Sequence, residues 1–185
     1  MKKIMFNDKF GLTKAVLEGR KTQTRRIVLE RYANMLQDSE NMLISSNKTK
    51  EQINSALSEL GIIISPYKVG EIVAIAQRYK DCELTNESMK SCPAWVNKMF
   101  VKAELMPHQI QFTGIKIERL QDISDEDCLK EGVCQVSEGR YKIDGLNYIG
   151  YNPIAVYSLL IEKISGKGTW YKNPFVFVYD FKLIK

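Results

Sequence analysis

Apolar residues fall at every second position in two long stretches of this chain, and those stretches anchor the rest. Over residues 174–184, Phe175, Phe177, Tyr179, Phe181 and Leu183 alternate with their neighbours, the period of a half-buried strand. Over 109–119, Ile110, Phe112, Ile115 and Ile117 are apolar among polar neighbours, and Gly114 marks a bulge where the phase slips. Shorter strands are expected over residues 3–6, 22–29, 72–79 and 98–105, the second blurred by charges. Residues 82–96 read as a loop, and 139–150 as irregular or hairpin-like.

Helical spacing is weaker and more scattered. Residues 8–18 predict a helix with Phe10, Ala15, Val16 and Leu17 on its apolar face and Asp8 as N-cap. Residues 31–65 are polar and weakly patterned, except that Ile53, Leu57 and Leu60 recur at helical spacing and Gly61 supplies a stop. This stretch reads as an insertion carrying at least one helix, variable in shape or mobility. A helix of little more than two turns opens after Asp122, with Ser124 as N-cap, Asp127 three positions on, and Gly132 ending it. Residues 153–164 predict a helix burying Val156, Leu159, Leu160 and Ile164, broken by Gly166-Lys167-Gly168.

Several strands separated by short helices, without regular βαβ alternation, predict an α+β fold: a small β-barrel with peripheral short helices and a helical insertion. The 185 residues fit a single domain spanning 1–185, with the insertion at 31–65.

Composition changes this picture little. With 44% hydrophobic and 26% charged residues the chain has the make-up of a soluble globular protein. The formal charge of +5 suits an anionic partner without demanding one. No apolar run reaches membrane-spanning length and the first residues lack the apolar core of a signal peptide, so neither a membrane nor export is expected. Cysteines at 82, 92, 128 and 134 form no Cys-x-x-Cys pair, and His108 is the single histidine. The expectation is a cytoplasmic protein with reduced thiols, no metal and no cofactor.

Charge is distributed unevenly. Six Lys or Arg lie between Lys14 and Arg31 against two acids, Glu18 and Glu30. The centre of the cluster is Gly19-Arg20-Lys21-Thr22-Gln23-Thr24-Arg25-Arg26. A glycine in the left-handed region at position 19 closes the preceding helix and turns the chain. Arg20, Lys21, Arg25 and Arg26 then present a surface for an anion, a phosphate backbone or a polar heterocycle, with salt-dependent affinity. Stacking partners for a base are sought among Trp95, Tyr79, Tyr151 and Trp170.

In this order and spacing, the chain resembles the ASCH family. The resemblance rests on Leu17-Glu18-Gly19-Arg20-Lys21-Thr22-Gln23-Thr24-Arg25-Arg26, on Tyr67-Lys68-Val69-Gly70-Glu71 before a strand, on Glu118-Arg119-Leu120-Gln121-Asp122-Ile123 leading to Glu131-Gly132-Val133, and on Trp170-Tyr171-Lys172-Asn173-Pro174-Phe175-Val176 before the last strand. It covers most of the chain outside 31–65. It implies a PUA-like barrel with a cleft beside the first helix, lined by the basic segment, and an RNA or modified-nucleoside ligand. One branch of small bacterial members hydrolyses N4-acylated cytidines, and Lys21, Thr24 and Glu131 match its reactive Lys, Thr and Glu. This chain is much longer than those members.

Two readings follow. The first is an RNA- or modified-nucleoside-binding protein with Arg20, Lys21, Arg25, Arg26 and Trp170 as ligand contacts. The second is an N4-acylcytidine amidohydrolase, a hydrolase of a non-peptide C–N bond. There Thr24 supplies the hydroxyl and Lys21 the base, and Lys21 must lose its charge through burial or nearby cations. Strict alternation puts Lys21 and Thr24 on opposite strand faces, so a turn or bulge near Thr22 is required. A third class, a protein-interaction module, would use the Ile53, Leu57 and Leu60 stripe. His108 reads as structural or exposed, and Cys128 as inert, since nothing near it in sequence lowers its pKa.

Overall fold

The strongest alternating run becomes a central strand, and that placement explains why its burial is not alternating. The computed structural model describes residues 1–82 and 89–184. Strand β8 (Phe175–Leu183) lies between β4 (Gln109–Arg119) and β2 (Gln23–Ile27), antiparallel to both. Both of its faces are covered, so Phe175 through Tyr179 are all buried. β3 (Ile72–Ile75) runs antiparallel to β4, and the two-residue β1 (Lys3–Ile4) lies parallel to β3. The order is β1-β3-β4-β8-β2, a mixed five-stranded sheet. β5 (Cys134–Ser137), β6 (Arg140–Lys142) and β7 (Ile149–Gly150) form a separate antiparallel sheet, the hairpin-like region of the sequence.

This architecture corrects the expected PUA-like β-barrel. The fold is α+β, but the five-stranded sheet is open, with β1 and β2 as its edges. Two residues of β1 offer too few backbone groups to close a ladder onto β2, and closure needs a continuous stagger around the ring. The edges meet instead through a side chain, Arg26 Nη2 donating to the Met5 carbonyl at 2.5 Å.

The bulge at Gly114 is present: the β4–β8 register shifts between Phe112 and Gly114. An added Cβ at Gly114 would stand 3.0 Å from Asp180 Oδ2. The helix expected over 8–18 is split. Asp8–Phe10 is a 3-10 turn whose cap is Asn7, accepting from the Lys9 amide, and Gly11 at φ 63° redirects the chain into α1 (Leu12–Leu17). Asp8 therefore caps nothing, and its carboxylate bonds Thr13 and Lys98 instead.

The insertion holds two helices, α2 (Glu30–Ser45) and α3 (Lys50–Ile64), the latter opened by a Thr49–Gln52 capping box. Leu36, Ile53 and Leu57 join the main core, so the stripe packs inward. Gly61 is no stop. It lies within α3 at a close approach to β4, where an added Cβ would be 2.5 Å from Ile117 Cγ1.

The strand expected over 98–105 is replaced by two 3-10 turns, Lys98–Phe100 and Ala103–Leu105, the first capped by Asn97 Oδ1 accepting from the Met99 amide. The strand expected to reach residue 79 ends at Ile75, and Tyr79–Asp81 is again a 3-10 turn. Val101, Ala103 and Met106 bury against Ala74 and Ala76 in a second, smaller core. Of the loop expected over 82–96, residues 83–88 lie outside the described residues, and Pro93–Trp95 forms a short turn.

α4 (Asp125–Lys130) is capped by Ser124 as its sequence predicts, while Asp127 turns its side chain away from the cap. α5 (Pro153–Ser165) supplies Val156, Tyr157 and Leu160 to the core, and α6 (Thr169–Lys172) leads into β8. No helix among the described residues is long and apolar enough to cross a membrane.

Candidate functional site

The chain leaves α1 through Gly19, whose φ of 72° is the left-handed turn expected there. Arg20 and Lys21 both donate their amides to the Ala15 carbonyl, and the Thr22 amide bonds the Lys130 carbonyl at the end of α4. Lys21 therefore sits in a tight link ahead of β2. That link removes the alternation conflict, and Lys21 and Thr24 line one cavity of about 540 Å³.

Lys21 is sealed from solvent, its side chain 1% exposed. Its ammonium donates to three acceptors: the Gln23 carbonyl at 2.7 Å, the Glu131 carbonyl at 2.9 Å and Glu131 Oε2 at 2.5 Å. Burial pushes the Lys21 pKa down, and the charge and hydrogen bond of Glu131 push back; Arg26 and Arg25 add to the lowering, which prevails. Glu131 reaches this position as the C-cap of α4, with Gly132 at φ 105° turning the chain immediately after it.

Arg25 is buried beside the pair, and its five N–H groups are all committed. Nε and Nη2 donate to Glu118 Oε1 at 2.9 and 2.6 Å. Nη2 also reaches Asp127 Oδ2 at 2.9 Å, while Nη1 reaches Gln23 Oε1 at 2.5 Å and Glu131 Oε1 at 3.3 Å. Burial opposes the guanidinium charge, but Glu131 and Glu118 outweigh it and raise its pKa. Lys116 and Lys130 complete the balance from the rim, 2.7 Å from Glu118 Oε2 and 3.0 Å from Asp127 Oδ1. The result is a buried ionic network in which breaking one partner strands the others.

Thr24 pairs with Tyr179 across β2 and β8 and is 5% exposed. It lines the cavity, and its hydroxyl has no hydrogen-bond partner among the described residues. The apolar floor comes from Leu12, Leu120, Leu160, Ile161 and Val176, and Tyr157 of α5 adds a phenol. Burial first, and Glu131 second, raise the Tyr157 pKa far above the ordinary range, so it remains a neutral phenol.

The remaining candidates disperse. Arg26 lines the cavity and is tied to Met5. Arg20 faces outward, bonded to Glu18 Oε2 at 2.6 Å and 3.8 Å from Asp144. Trp170 does not line the cavity; its ring packs edge-on against Tyr157, and its backbone is held by Glu162 and Gln121. Trp95 and Tyr79 belong to the second core, and Tyr151 lies under the Arg140 guanidinium at the surface. His108 bonds Gln77, and burial pushes the Cys128 thiol up to about 12, in keeping with an inert core cysteine.

Glu118, Asp127 and Tyr157 were not singled out by sequence as site residues, and neither were Asp8 and Lys98. For Asp127 a signal exists: it stands four residues before Glu131, on the same face of α4. Fold and site together define an α+β protein with an open mixed sheet and a cavity walled by a buried Lys–Glu–Arg network. No family model, curated protein or solved structure matches the chain. Among the described residues no group of three or more His, Cys, Asp or Glu is placed to hold a metal ion.

Proposed function

We propose that this chain is an ASCH-like protein that binds a modified nucleoside in the cavity and hydrolyses the amide of an N4-acylated cytidine. One observation carries the reading: Lys21, Thr24 and Glu131, the outer two 110 residues apart, line a single cavity of about 540 Å³. That volume lies in the range of small-ligand sites. With Arg25 committed internally, the basic octapeptide provides no continuous track for an RNA backbone, and a single nucleoside is favoured over a strand.

In the resting state the Lys21 ammonium spends all three protons on its acceptors. To serve as a base it passes one proton over the 2.5 Å to Glu131 Oε2, turning the ion pair into an amine and a carboxylic acid. The burial that depresses the Lys21 pKa favours this transfer. Lys21 then turns from a backbone carbonyl toward Thr24. The Thr24 oxygen bonds to the acyl carbon while its proton goes to the Lys21 amine. The C–N bond breaks as the Glu131 acid protonates the leaving nitrogen, freeing cytidine and leaving an acyl ester on Thr24. After a second transfer from Lys21 to Glu131, water repeats the addition and the Thr24 oxygen leaves with the proton of Glu131. The sum is amide plus water giving amine plus acid.

The test is chromatographic release of cytidine from N4-acetylcytidine. Lys21→Ala, Thr24→Ala and Glu131→Gln should each abolish it in folded protein. No turnover at enzyme concentrations equal to substrate overturns the hydrolytic reading.

A further inference from the structure

The cavity has a second polar end that the hydrolytic reading leaves unused. Asp8, Asn7 and Lys98 line it together with Lys21 and Thr24, although they come from the 3-10 turn after β1 and from the turn at Lys98–Phe100. Lys98 is 16% exposed and firmly anchored: its ammonium bonds the Phe6 carbonyl and lies 2.8 Å from Asp8 Oδ1. Thr13 donates to the same Asp8 oxygen at 2.5 Å. Oδ1 is thus occupied twice by protein, and Oδ2 has no partner among the described residues. Burial alone would raise the Asp8 pKa, but the Lys98 and Thr13 hydrogen bonds overcome it, so the carboxylate stays ionised.

Phe6 has contacts toward both ends. Its carbonyl accepts from Lys98 at one end, and its ring centroid lies 5.9 Å from Lys21 Nζ at the other. Phe6 thus lies between the two groups, sharing Lys98 with Asp8 on one side and facing Lys21 on the other. A pyrimidine nucleoside has the same plan, with the exocyclic nitrogen at one end, a flat apolar-faced ring between, and vicinal hydroxyls at the other.

We infer that Asp8, oriented by Lys98 and Thr13, is a specificity-determining residue whose free oxygen accepts hydrogen bonds from the 2′ and 3′ hydroxyls of a ribonucleoside. A carboxylate is suited to this role because a vicinal diol offers it two donors, the use acidic residues serve at ribose in dinucleotide sites. The inference rests on the nucleoside reading of the cavity and sharpens it: the substrate is a ribonucleoside, in preference to a free base or a 2′-deoxynucleoside.

The test compares N4-acetylcytidine, N4-acetyl-2′-deoxycytidine and N4-acetylcytosine as substrates of the wild-type chain and of Asp8→Asn. Asn keeps the Oδ1 acceptor for Thr13 and Lys98 while replacing the free oxygen with an N–H donor. The expected result is a wild-type preference in kcat/KM of about tenfold or more for the ribonucleoside, the scale of a lost charged hydrogen bond, and its collapse toward one in Asp8→Asn. Equal use of the three substrates by the wild type, or an unchanged ratio in the variant, overturns the inference and leaves the hydrolytic reading standing. If nothing is turned over, the hydrolytic reading fails by itself. Calorimetric binding of cytidine against cytosine then decides: ribose-dependent binding lost in Asp8→Asn supports the role, and its absence overturns it. Should Asp8→Asn not fold, Asp8→Glu moves the same oxygen by one methylene and must shift the same ratios.

Discussion

Glu131 Oε2 stands 2.5 Å from Lys21 Nζ, and each residue reaches that point by a backbone turn of its own. Lys21 follows the left-handed Gly19, and Glu131 precedes the left-handed Gly132. Strand β2 and helix α4 are joined directly beside the pair, through the Thr22 amide and the Lys130 carbonyl. A salt bridge this dry contributes little net stability when whole, but removing one partner leaves the other charge buried.

Replacing Lys21 with Met should therefore cost about 3–5 kcal/mol, because Glu131 loses its ammonium while Arg25 contacts it only at longer range. The double variant Lys21→Met with Glu131→Gln should recover a large part of that loss. Urea denaturation of the two single variants and the double measures the coupling. Additive effects would show that the pair is not coupled.

Arg25→Ala should be at least as damaging, by about 3–5 kcal/mol, since it removes the buried cation shared by Glu118, Asp127 and Glu131 and empties the space its guanidinium fills. Arg20→Ala, which removes outward-facing contacts to Glu18 and Asp144, should change stability by less than about 0.5 kcal/mol. Thermal melting of both variants separates an internal arginine from a surface one within a single cluster.

Asp127 gives the network a pH signature. Burial raises its pKa, but the hydrogen bonds from Lys130 and Arg25 more than offset this and hold it below the ordinary value. A carboxylate depressed in the folded state adds stability that is present above its unfolded pKa of about 3.9 and is lost as pH falls through the lower folded value. The wild type should lose stability below about pH 4 more steeply than Asp127→Asn, so the two curves converge in acid. Parallel curves from denaturation at stepped pH would contradict this.

Gly61→Ala probes the insertion. The new methyl would meet Ile117 Cγ1 at 2.5 Å, between α3 and β4, and should cost about 1–3 kcal/mol by overpacking. Helix propensity alone would predict a gain. The sign of the melting-temperature change shows which governs.

Cys128 is wholly buried with its thiol pushed up to about 12 by burial. It should resist thiol reagents at neutral pH until the protein unfolds, and quantitative labelling of Cys128→Ser against wild type checks this.

Legibility in the sequence followed the range of the interactions involved. β4, β8, α4 and α5 were readable because apolar period and caps are local, and even the Gly114 bulge left its mark as a slip of phase. The two turns over 98–105 were not, because Lys98 acts through Phe6 and Asp8, about ninety positions away. The open sheet is hidden for a related reason: nothing in Lys3-Ile4 says that the pairing lasts only two residues. Within the basic octapeptide, Arg20 and Arg25 look alike in sequence. Only Glu118, Asp127 and Glu131, 93 to 106 residues further on, make one a surface charge and the other a buried one. Gly61 read as a stop because glycine commonly ends helices, whereas its requirement here comes from the neighbouring strand.

The Arg25 guanidinium joins β2, β4 and α4 through one planar group, and this sets how the cavity can breathe. Parting those three elements means breaking its bonds to Glu118, Asp127 and Glu131 together, so on that side local opening merges with unfolding of the whole sheet. The wall built from the segment around Asp8 is held by a different group, the Lys98 ammonium, which bonds the Phe6 carbonyl and Asp8 Oδ1. Slow amide exchange should mark the Arg25 side as the fixed jaw of the cavity.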